Sequence, residues 1–126
     1  MPDQSEIHAL FDGYFRAYAA HDADGCAAIY APDAVLYSSF DAPLIGRDAI
    51  ARAHREWFEE GEEDKGWSLS FEQTGDDQAS CVVDFSAKVP TDEGYAISSG
   101  HSLCALSRDG TGAWHVRIMS MTLNEA

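Results

Sequence analysis

Within "IARAHREWFEE", His54 is the residue best suited to move a proton. Ile50, Ala53, His54, Trp57 and Phe58 fall at i, i+3, i+4, i+7 and i+8, the inward stripe of an amphipathic helix. A histidine there places a base that works near neutral pH on an otherwise apolar face. Tyr14 is its counterpart in an earlier segment, where Ile7, Leu10, Phe11, Tyr14 and Tyr18 also recur at helical spacing. A phenol and an imidazole turned toward one interior space make a candidate acid/base dyad. The competing reading is a core histidine satisfied by a backbone carbonyl or a water.

The other polar interruptions are weaker candidates. Asp84 alternates with Val83 and Phe85, and His101 has the parity opposite to Cys104, which puts both on the outer face of a sheet. A bulge at Gly100 would reverse His101. No HxH or HxxxH pair accompanies them, so no metal site is expected. Arg117 lies between His115 and Met119. If that parity faces inward, Arg117 can clamp a ligand carboxylate through paired hydrogen bonds. If Trp114, Val116 and Ile118 face inward, it points out. Cys26, Cys81 and Cys104 form no CxxC pair, and an odd count suggests free thiols in a reducing, cytoplasmic compartment.

Several elements must position these groups. Asp3 can cap the first helix, with Glu6 in capping-box position. Asp22 caps a short second helix with inner face Cys26, Ile29 and Tyr30, and Pro32 ends it. Ala34 to Ser39 reads as a strand, and Gly46 starts the third helix. From Trp67 onward the period drops to two. Strands about Trp67–Phe71, Cys81–Val89, Tyr95–Ser107 and Ala113–Leu123 are separated by the turns "TGDDQ", "PTDEG" and "RDGTG". Helices followed by an antiparallel meander give an α+β fold, with the helices on one face of a curved sheet. The 126 residues fit one domain. The last strand is apolar on both faces, which predicts burial on both and a homodimer through the sheet.

Charge narrows the partners. The chain carries 8 basic and 22 acidic residues, a net charge of −14. That leaves no basic footprint for nucleic acid and would be repelled by an anionic membrane. The cluster "EEGEED" at Glu59 to Asp64 reads as a solvated loop after the third helix. No apolar run is long enough to span a bilayer, and "MPDQSEIHAL" does not read as a signal peptide.

The ordered set "YFRAYAAHDADGCAAIYAPDAVLY", "IGRDAI" and "RDGTGAWHV" resembles the nuclear transport factor 2-like superfamily, which includes the SnoaL-like polyketide cyclases and the ketosteroid isomerases. The resemblance implies a cone-shaped sheet wrapped around three N-terminal helical segments, and dimers are common in the superfamily. It places the isomerases' oxyanion-hole tyrosine on Tyr14. Their general-base aspartate falls on Ser38 and their second oxyanion donor near Cys104, neither of which can fill the role. The cyclases' aspartate has no counterpart in "MSMTLNEA". Ketosteroid isomerisation is therefore not expected.

Two functions remain. One is cofactor-free isomerisation, dehydration, cyclisation or hydrolysis of a small apolar or aromatic molecule, with Tyr14 and His54 catalytic. The pocket would draw on Tyr18, Ser38, Trp57, Phe58, Phe85, Cys104, Arg117 and Met119. The alternative is a ligand-binding or dimerisation module without catalysis.

Overall fold

A computed structural model describes residues 5–38, 43–59 and 63–124, with side chains at all of them except 63 and 64. Asp3, Ser39 and most of the acidic run after Glu59 lie outside the described residues.

The first helix, α1, spans Glu6–Ala19. Ser5 holds its N-cap, its hydroxyl accepting from the His8 amide at 3.0 Å. Ile7, Phe11, Tyr14 and Tyr18 form its buried face. Asp22 caps α2, Ala23–Ala27, by accepting from the Gly25 amide. This helix stops well before Pro32, and Ile29 and Tyr30 are not on it. Sheet pairing takes them instead: the Val116 amide donates to the Ile29 carbonyl at 2.8 Å, and the Arg47 guanidinium donates to the Tyr30 carbonyl at 3.0 and 2.6 Å. Strand β1 is thus Tyr30–Tyr37, and Pro32 is tolerated because the register shifts between Tyr30 and Val35.

A two-residue strand, β2 at Leu44–Ile45, pairs with β1. Gly46, at φ 94°, then turns the chain into α3, Arg47–Glu59. Four long strands follow: β3 Glu63–Thr74, β4 Gln78–Thr91, β5 Gly94–Arg108 and β6 Trp114–Leu123. The sheet order is β2-β1-β6-β5-β4-β3. The meander from β3 to β6 is antiparallel, but β1 runs parallel to β6, so the sheet is mixed. Tyr30, Phe11, Ile7, Leu36, Ile50, Val116 and His54 are among the largest fully buried side chains.

Two irregularities change the parity expected from simple alternation. In β6, Ala105 pairs with Ile118 while Leu106 pairs with Val116, which leaves Arg117 as the extra, bulged residue. Trp114 and Val116 are therefore buried before the bulge and Met119 after it. Trp114, Val116 and Met119 therefore share the inner side, while Ile118 stays on the outer face, 43% exposed. A second shift, between Leu69 and Phe71, leaves Phe71 on the outer face, half exposed. The β5 ladder passes Gly100 without a shift, so His101 stays on the outer side beside its cross-strand partner Asp84. Cys26, Cys81 and Cys104 are buried free thiols. Among the described residues no helix is long and apolar enough to cross a membrane.

Candidate functional site

Between α1 and the inner face of the sheet lies a cavity of about 370 Å³, within the range of roughly 300–1,000 Å³ usual for small-molecule sites. Helix α1 contributes Phe11, Tyr14, Phe15 and Tyr18, and α3 contributes Trp57. The sheet closes it with Tyr30 and Leu36 from β1, Val83 and Phe85 from β4, and Met119, Met121 and Leu123 from β6. The polar groups of its lining residues are the Tyr14, Tyr18 and Tyr30 phenols, the Trp57 indole N–H, the Ser98 and Ser102 hydroxyls and the Lys65 ammonium.

Tyr14 and His54 meet. The phenol oxygen lies 2.7 Å from His54 Nε2, across 40 residues of sequence. His54 is fully buried, and its Nδ1 is 2.8 Å from the Ile50 carbonyl one helical turn earlier. A carbonyl only accepts, so Nδ1 carries a proton; full burial disfavours a second, charging proton, which leaves Nε2 bare toward Tyr14. Tyr14 therefore donates to His54. Rings of Tyr14, Tyr18, Trp57 and Phe58 surround the imidazole at centroid distances of 5.6, 6.0, 4.7 and 6.2 Å. In such apolar surroundings both nitrogens need a partner, and both have one. His54 does not line the cavity; Tyr14 does. The phenol is thus the cavity-facing end of the pair and the imidazole its buried end.

The remaining candidates divide. Tyr18, Trp57, Phe85 and Met119 line the cavity. Trp57 and Phe85 are only half-buried because they stand at its edge. Four do not line it. Ser38 follows the end of β1. Phe58 packs edge-on to Tyr18 and stacks on His21 instead. Cys104 faces inward but is enclosed in the core opposite Cys81, its thiol donating to the Ser102 carbonyl. Arg117 is turned outward by its own bulge, so it cannot clamp a ligand in the cavity. Among the described residues no three His, Cys, Asp or Glu side chains cluster to hold a metal ion.

Sequence reasoning missed Lys65, Ser102 and Tyr30 as lining residues. Ser102 shares the inward parity of Cys104 and was findable. Tyr30 was hidden by the helix expected to carry it. Lys65 was hidden because β3 begins four residues before the alternation becomes visible. Tyr30 also donates to the Met119 sulfur at 3.4 Å, and burial pushes its phenol well above the usual range.

Residues 11–115 match the SnoaL-like domain family, a span that includes every lining residue from Phe11 to Ser102 but not Met119, Met121 and Leu123. The chain belongs to that family. Its SnoaL-like fold is shared by a ketosteroid isomerase-like protein from Erwinia carotovora atroseptica, at 20% identity and TM-score 0.82 over 95% of each chain. A domain with a cystatin-like fold from Nostoc punctiforme matches at 19% identity and TM-score 0.82, over 95% of this chain and 76% of that one. A nuclear transport factor 2-like protein from Novosphingobium aromaticivorans matches at 18% identity and TM-score 0.78, over 96% and 81%. Likeness at these identities establishes the α+β, cystatin-like architecture of this SnoaL-like domain and nothing about its reaction. No curated protein matches the sequence.

Proposed function

We propose that this SnoaL-like domain is a cofactor-free acid/base enzyme acting on a small apolar molecule, an isomerase, dehydratase or cyclase. The observation that carries the reading is the Tyr14–His54 hydrogen bond, with Nδ1 fixed on the Ile50 carbonyl. The pair works as a relay. A substrate proton passes to the Tyr14 oxygen while the phenol proton passes to His54 Nε2. The resulting imidazolium keeps its Nδ1–H on Ile50. The reverse transfer returns a proton to a different atom of the substrate, or to an oxygen leaving as water. Proton transfer by a positioned group contributes about 10²–10⁴-fold in rate. The mostly apolar walls lower the local dielectric, which strengthens the hydrogen bonds inside.

The test needs a small apolar ketone with exchangeable α-protons, and 2-tetralone serves. In D₂O the protein should speed deuterium incorporation at the α-carbon more than tenfold over buffer. Tyr14→Phe should bring the rate back to that of buffer, and His54→Gln should lower it. Tetralone that binds, read by tryptophan fluorescence, but exchanges only at the buffer rate would favour the alternative, a ligand-binding module without catalysis.

We further propose that a second copy of the chain covers the outer face of the sheet. Phe71, Leu103 and Ile118 are 50%, 53% and 43% exposed there. Phe71 pairs with Val82 and Val82 with Leu103, while Ala105 pairs with Ile118, so the apolar surface crosses four strands without a break. On a chain of net charge −14, an uncharged patch is where two copies can approach with least repulsion. Sedimentation at micromolar concentration should give the mass of a dimer, and Leu103→Asp should give a monomer. A wild-type monomer would rule the interface out.

A further inference from the structure

We infer that the cavity selects an apolar molecule bearing a permanent negative charge, with Lys65 as the specificity-determining cation. The inference rests on the reading of the cavity as a ligand site and names the class of ligand. Among the described lining residues Lys65 is the only cation, and none is a carboxylate. The chain as a whole is strongly acidic, at −14, so a cation among the described lining residues stands out against its composition.

The ammonium is also placed. Its Nζ lies 4.7 Å from the centroid of the Tyr18 ring and 4.9 Å from that of Phe85. Two ring faces attract a cation and hold a long side chain in one position, which reduces the ordering cost when a ligand arrives. Phe85 is itself fixed: its ring lies over Gly100 on the next strand, where any Cβ would strike the ring and the Thr122 carbonyl. An ammonium carries three donors, enough to hold a ligand carboxylate while keeping another partner.

Tyr18 connects the ammonium to the relay. The Tyr18 ring that carries the ammonium lies 6.0 Å from the Tyr14 ring. Lys65 and Tyr14 therefore both neighbour the Tyr18 ring. A ring-bearing hydroxy or oxo carboxylic acid meets both, with its apolar body against Val83 and the β6 methionines.

The probes are 2-naphthoate and 2-naphthamide, nearly the same shape and differing in charge, titrated calorimetrically into the full chain. Naphthoate should bind at least tenfold more tightly than naphthamide. Lys65→Met should erase that preference while leaving naphthamide within twofold of its wild-type affinity, and Lys65→Arg should retain it. Equal wild-type affinities, or a preference that survives Lys65→Met, would overturn the inference and leave the cavity as a ligand site. If neither probe binds, both the ligand-site reading and this inference fail. The wild-type comparison decides even where Lys65→Met does not fold.

Discussion

Replacing Phe11 with alanine should lower the unfolding free energy by roughly 3–5 kcal/mol. Phe11 is 1% exposed and sits at the centre of the buried face of α1. It is the side chain that ties this helix both to the core and to the cavity wall. Truncation removes the transfer energy of the ring and leaves a void that joins the existing cavity, so the neighbours cannot close around it as a compact core would. Domains of this size have about 5–15 kcal/mol in total, so the variant should approach its unfolding limit at moderate temperature. Urea titration measures the loss. A loss below about 1 kcal/mol would mean that α1 does not anchor on the sheet through this face.

The second large effect is alkaline. Burial, with Asp22 adding to it, pushes the Cys26 thiol from its ordinary 9.0 up to about 12. Burial raises the Tyr30 phenol, and a hydrogen bond with Cys81 followed by burial raises Cys104. For each, the folded chain keeps a proton that the unfolded chain releases. A raised folded-state value contributes stability that is complete below the unfolded value and is lost as pH rises toward the folded one. For Cys26 that window is pH 9 to 12. Within it the unfolded state binds fewer protons, so stability should fall by about 1.4 kcal/mol per pH unit from this thiol alone. Thermal melts from pH 8 upward should show a steady decline starting near pH 9, and Cys26→Ala should make it shallower. A melting temperature unchanged across that window would mean the thiol is solvated in the fold.

Much of the architecture was legible because it rests on periodicity. The stripes of α1 and α3 and the alternation of the four long strands are each set by the need to bury one face, and a sequence displays that directly. The Tyr14–His54 pair was legible for the same reason, since each residue interrupts an apolar stripe with a polar head. What failed were the places where the chain leaves its period. The bulge at Arg117 has no glycine to announce it, and without it the two apolar sets of β6 look like two buried faces. The extension of β1 back to Tyr30 depends on hydrogen bonds to Val116 and Arg47, distant partners that local propensity does not contain. The parallel pairing of β1 with β6 is likewise a tertiary choice. Lys65 entered the cavity through the start of a strand whose first residues do not alternate in polarity.

The relay requires the proton between Tyr14 and His54 to sit on the phenol. Side-chain ¹⁵N spectra of the unliganded protein at neutral pH measure it directly. They should show a neutral His54 ring protonated at Nδ1, with Nε2 bare and hydrogen-bonded, and Tyr14→Phe should shift the Nε2 resonance while leaving Nδ1 protonated. A His54 ring protonated at Nε2 alone, or an Nε2 resonance indifferent to Tyr14→Phe, would contradict the relay.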